Sequence, residues 1–166
     1  MRVAPALGAA LAGAVISAAA VSDLHAGGLR FARVVILGAA LGALAYADLA
    51  EQRIPNRIVG PAIVGCGALL LVQGVRGELI DGLALVVVML VCGLLWPASF
   101  GMGDVKLALL VVAGLGDVAI EALVLGLILA AACGAVLILR HGRSAASRSL
   151  PLAPFMAGGA AVVLLI

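Results

Sequence analysis

Residues 82–115 read GLALVVVMLVCGLLWPASFGMGDVKLALLVVAGL, two apolar runs (82–98 and 105–115) parted by SFGMGD at 99–104. A helix of ~20 apolar residues crosses the hydrocarbon core of a bilayer. An ionisable group at the border of such a run is costly enough to need a reason. The alternation continues along nearly the whole chain, which is 66% hydrophobic and 11% charged, with a mean hydropathy of +1.34. A soluble domain would need far more polar surface. Spanning strands would show short alternating segments, and the sequence has none. These observations imply an all-α fold, a polytopic transmembrane helical bundle of about 6–7 membrane helices. It is expected to form one membrane-embedded domain over residues 1–166.

Seven apolar segments are read at about 3–22, 31–47, 58–75, 82–98, 105–115, 118–139 and 151–166. The fifth is too short to cross alone at ~1.5 Å per residue. A tilt, a start in the headgroup zone or an extension back through the glycines would make up the difference. The first has a basic start and small residues, so it reads as a retained helix or as a cleaved signal peptide; its length favours retention. With seven crossings, Arg2, Arg53, Arg57, Lys106, Arg140, Arg143 and Arg148 fall on one side, and Arg30, Arg33 and Arg76 on the other. The positive-inside rule puts the larger set in the cytoplasm. Joining segments five and six into one broken span would erase that asymmetry, so two crossings are expected there. Asp23, Glu78, Asp81, Asp117 and Glu121 then fall on or near the outer face.

The net charge of +2 is too small and too dispersed for a nucleic-acid partner. Cys66, Cys92 and Cys133 lie inside apolar runs with no CxxC, as small buried thiols do. His25 and His141 stand alone in loops, with no second metal ligand at helical spacing. Arg140, Arg143 and Arg148 are placed to meet anionic lipid headgroups.

Two carboxylates remain. Asp48 follows the second segment in LAYADLAEQRIPNR, and Asp104 precedes the fifth in FGMGDVKL. Two crossings separate them, so both face the same side. Neighbouring carboxylates cannot both ionise cheaply, and one keeps a proton. That supplies a general base and a general acid around one water, the chemistry of an aspartic protease. Gly101 and Gly103 would let the backbone turn sharply and approach a substrate chain. Asp104 sits near a helix N-terminus, where the dipole favours an anion, and Asp48 near a C-terminus, where it does not. Asp48 is therefore expected to hold the shared proton and Asp104 to act as base. Lys106 either adds to the field at Asp104 or snorkels to the interface. Pro55 and Asn56 are expected to fix the turn into the third segment. Glu51 reads as solvated.

These elements resemble the type IV prepilin peptidase family, membrane aspartic proteases with a GxGD motif. The resemblance runs from about residue 37 to 166 and rests on three stretches. Asp48 followed by Arg53-Ile54-Pro55-Asn56 is similar to the family's D-x(n)-IPN element, and 101–106, GMGDVK, to GxGDxK. Residues 151–155, PLAPF, are similar to the proline-rich start of its last helix. The resemblance implies that Asp48 and Asp104 are the catalytic pair, with Gly101, Gly103, Lys106, Pro55 and Asn56 in supporting places. It implies cleavage of a short basic leader from a prepilin or pseudopilin at the cytoplasmic face of the bacterial inner membrane. No cofactor, metal or covalent intermediate is implied. Larger members carry a cytosolic domain with paired CxxC motifs and also N-methylate the new terminus. This chain resembles the small stand-alone branch that serves Flp/Tad-type pili, and methylation is not expected of it. Presenilin-type proteases share GxGD but pair it with YD and PAL. Here Tyr46 lies two residues before Asp48, and PLAP is not PAL.

Two rival classes stay open. In a small transporter or channel component, Asp48 and Asp104 would be proton or cation sites. In a structural subunit of a secretion platform, both carboxylates would be dispensable for assembly.

Overall fold

A computed structural model describes residues 13, 28–74, 77–95, 101–141 and 150–166. Segment 3–22 apart from Gly13, Arg2, Asp23, His25, Arg76, residues 96–100, Arg143 and Arg148 lie outside them, as do the side chains of Glu78 and His141. Among the described residues are six α-helices and no strand: α1 (Gly28–Glu51), α2 (Asn56–Gln73), α3 (Gly77–Leu95), α4 (Met102–Leu115), α5 (Ala119–His141) and α6 (Ala153–Leu165). Three stretches are long and apolar enough to cross a membrane: Gly28–Glu51, Asn56–Gln73 and Met102–Arg140. Leu79–Leu95 and Ala153–Leu165 are shorter apolar helices.

The molecule is apolar outside as well as inside. Val64, Val72, Val88, Leu94, Ile128 and Leu139 are each more than half exposed. So much apolar surface marks a membrane protein, since water would penalise it. Inside, α4 is the central helix. Val105, Leu107, Ala108 and every residue from 110 to 115 are buried, so the helix is covered all round. That resolves its shortness, because a helix surrounded by other helices need not match the bilayer thickness itself.

Small residues set the spacing. With lipid as apolar as the helices, close packing rather than water exclusion holds them together. A Cβ on Gly114 would meet Leu37 at 2.7 Å, which brings α4 against α1. A Cβ on Gly159 would run into the Ala122 carbonyl and stand 2.8 Å from the Gly126 nitrogen, so α6 crosses α5 almost backbone on backbone.

The Met102–Arg140 stretch reverses at Gly116, which has φ +66 and ψ −109 at the C-terminus of α4. A Cβ there would carry the cost of a left-handed backbone. It would also stand 3.3 Å from Nη2 of Arg33, itself buried. Contacts fix the directions. α4 runs from Ile54 (at Gly103) to Leu37 (at Gly114), while α5 runs from Gly159 (at Ala122) to Leu150 (at Gly134). Ala153, three residues after Leu150, bonds Asp48. The chain thus returns to the end of the bundle that it left. Asp81, Asp117 and Glu121 belong to the opposite end.

Candidate active site

Asp48 lies in the last turn of α1 rather than in the loop after it. The helix ends one turn later at Gln52, whose φ of 51 is left-handed. Its N–H donates to the Asp48 carbonyl at 2.9 Å, a helix-terminating αL bond. The Asp48 carboxyl points into the bundle, 7% exposed. Its Oδ2 accepts the Ala153 N–H at 2.9 Å, and the Leu152 N–H also bonds the carboxyl. The start of α6 explains this donor. The first N–H groups of a helix have no partner within it. Pro154 has no N–H, and the N–H groups of Phe155 and Met156 both reach the Leu152 carbonyl at 3.1 Å. Ala153 therefore keeps a donor for Asp48.

Asp104 is the third residue of α4, counted from the N-cap Gly101. Its backbone N–H donates to the Gly101 carbonyl at 3.0 Å. Its side chain folds back to accept the Gly101 N–H, the acidic half of a capping box. Asp48 is near enough for its charge to bear on Asp104. The chain thus brings two carboxyls, 56 positions apart, to one end of the bundle.

The glycines work differently from the sequence expectation. Gly101 has φ −77 and ψ 132, open to any residue, so no sharp turn requires glycine there. What the missing Cβ leaves is room: Asp104 Oδ2 lies 3.3 Å from where it would stand. At Gly103 the vacant position is lined by Ile54, whose nearest atom is 3.2 Å away. Lys106 turns to Asn56 rather than to Asp104, in an exposed bond at the end of the bundle. Residues two apart on a helix point to different sides, and the Lys106 Nζ donates to Asn56 Oδ1 at 2.9 Å. Pro55 is the N-cap of α2, and its carbonyl accepts the N–H groups of Ile58 and Val59 at 3.0 and 3.2 Å. That is the turn-setting role expected of it; the Asn56 bond across to α4 was not foreseen. Glu51 and Tyr46 are exposed.

Helix ends no longer separate the two aspartates. Asp48 closes α1 but receives the N-terminus of α6, so both carboxyls face the positive end of a helix. The expectation that the dipole leaves the shared proton on Asp48 loses its premise. Leu152 and Ala153 are the contacts that sequence reasoning missed. The signal available was Pro151 and Pro154 flanking them at a helix start.

Among the described residues, no three His, Cys, Asp or Glu side chains gather where a metal ion could be held. No curated protein and no solved structure matches the chain. The profile of the type IV leader peptidase family matches residues 35–139, which include Asp48, 54–56 and 101–106 but not 151–155. The matched span exceeds half of the sequence and carries both carboxyls, and on that ground the chain belongs to the type IV leader peptidase family.

Proposed function

We propose that the protein is a membrane aspartic endopeptidase that removes the short basic leader of prepilin-like proteins, with Asp48 and Asp104 as its catalytic pair. The observation that carries this reading is the meeting of the Asp48 and Asp104 carboxyls at one end of the bundle, within electrostatic reach. Two such groups share one proton. The ionised member takes a proton from water as its oxygen adds to the scissile carbonyl carbon, while the protonated member gives its proton to the carbonyl oxygen. Collapse of the resulting gem-diol breaks the C–N bond: the departing amine takes up the proton from one carboxyl while a gem-diol hydroxyl returns its proton to the other. The pair ends as it began, one carboxyl protonated, and no acyl-enzyme forms.

The active end lies on the cytoplasmic side of the bacterial inner membrane in this reading. The excess of Arg and Lys on the Asp48 side supports that orientation. A leader rich in lysine would present itself there, just before its own apolar helix.

The test is co-expression with a prepilin-type substrate, followed by leader removal on gels. Asp48→Asn and Asp104→Asn are each expected to cut cleavage by roughly 10³-fold or more while the proteins still insert and fold. Cleavage at the native rate by either variant would overturn the assignment.

A further inference from the structure

Two contacts join the turn after Asp48 to the helix start that bears Asp104. Ile54 covers the vacant Cβ position of Gly103 at 3.2–3.3 Å. Two residues on, Asn56 Oδ1 accepts the Lys106 Nζ at 2.9 Å. One contact is apolar and the other charge-assisted, a class roughly twice as strong as a neutral hydrogen bond. Ile54 and Lys106 are partly exposed, whereas Asn56 and its bond to Lys106 are exposed. Each contact lies within two residues of Asp104 in sequence, or within eight of Asp48.

The two aspartates are otherwise anchored separately. Asp48 is fixed from α6 through the Ala153 N–H. Asp104 is fixed within its own first turn through Gly101. Neither anchor crosses from one aspartate to the other. The turn at 53–56 does: it leaves α1 one turn after Asp48 and meets α4 at Gly103 and Lys106, on either side of Asp104.

We propose that Ile54 on Gly103 and Asn56 on Lys106 form a latch that holds the two aspartates at working separation. Asn56 and Lys106 are thus positioning residues of the reaction. The inference rests on the aspartic-peptidase reading and adds these roles to it. Two carboxyls can share a proton around one water over only a narrow range of separations. Misplacement of about 1 Å costs on the order of a hundredfold in rate. The latch places the Lys106 charge on an amide oxygen, where it braces the site without becoming a counter-ion to Asp104.

The test uses the full chain in detergent and two readouts. The first is cleavage of a synthetic peptide with a lysine-rich leader, a glycine junction and an apolar helical segment. Asn56→Ala and Lys106→Met are each expected to lower kcat about ten- to a hundredfold with KM unchanged. The double variant should be no slower than the worse single. Gly103→Val should also be slow, and Ile54→Ala added to it should recover several-fold by vacating the space the new side chain needs. Additive losses, a rise in KM at constant kcat, or no recovery would overturn the latch.

The second readout needs no activity. Nitroxides are placed at the exposed positions Glu51→Cys and Met102→Cys, in a background with Cys66, Cys92 and Cys133 changed to alanine. The distance distribution between them should be narrow in the otherwise native chain and in Asp104→Asn, and broad in Asn56→Ala and Lys106→Met. A distribution that stays narrow in those two overturns the latch. If the unmodified enzyme cuts no peptide, the peptidase reading fails, and the distance measurement still decides the latch.

Discussion

Ala153 donates its backbone N–H to the Asp48 carboxyl across 105 positions of sequence, at 2.9 Å and in a buried site. A side chain at the end of one helix is thus held by the beginning of another. Ala153→Pro removes that N–H and also disfavours the helical backbone of Leu152 before it (φ −84, ψ −30). Loss of a hydrogen bond to a charged group costs about 1.5–3 kcal/mol, or roughly ten- to a hundredfold in cleavage rate. Ala153→Gly keeps the N–H and should stay close to native. Steady-state cleavage of the two variants, at matched folded yield, decides the role of α6.

The pH dependence should belong to the pair and not to one residue. Cleavage is expected to follow a bell: it fails on the acid side, where both carboxyls are protonated and no base remains. It fails again on the alkaline side, where both are ionised and no acid remains. A rate profile in detergent that rises once and stays level would show that only one carboxyl titrates in catalysis.

Neighbouring glycines on α6 should behave in opposite ways. A Cβ on Gly158 meets only Leu129 at 3.8 Å, ordinary contact, so Gly158→Ala is expected to fold and cleave normally. A Cβ on Gly159 meets backbone of α5, which cannot yield as a side chain can. Gly159→Ala should destabilise by about 1–3 kcal/mol, as overpacking does, and lower activity by displacing the start of α6. Thermal unfolding in detergent and cleavage assays test the contrast.

Gln52 occupies a left-handed conformation at the end of α1. A β-branched side chain is poorly tolerated there, so Gln52→Val is expected to lower stability by about 1–2 kcal/mol. Gln52→Asn should be far milder, since asparagine visits this region readily. The measurement is again the Tm in detergent.

Much of this architecture was legible in the chain. Apolar runs predicted at 31–47, 58–75 and 118–139 correspond to α1, α2 and α5, with some ends longer and some shorter than predicted. The extra turn of α1 carries Asp48, expected near a helix C-terminus, inside the helix itself: apolarity marks where lipid or core begins, whereas backbone hydrogen bonding continues past it. Asp104 and Asp48 could be paired from two counted crossings. For the Ala153 contact the prolines at 151 and 154 marked only a helix start with spare N–H groups; which distant side chain takes one is set by the fold. The glycines of GMGD misled for a related reason. Glycine announces a missing Cβ, but only the fold says whether the vacancy serves a turn, as at Gly116, or a neighbouring side chain, as at Gly103. Lys106 was ambiguous because its long stem reaches several targets, and the docking of the 53–56 turn selects Asn56.

The order of synthesis gives the Asp48–Ala153 bond a temporal meaning. A ribosome adding about 5–20 residues per second emits Asp48 well before Ala153, by roughly 5–20 s at those speeds. During that interval the first carboxyl is already made while its backbone donor is not. A nascent chain therefore holds Asp48 without its Ala153 donor until α6 has been made, and on the proposed reading its carboxyl pair is fully anchored only then.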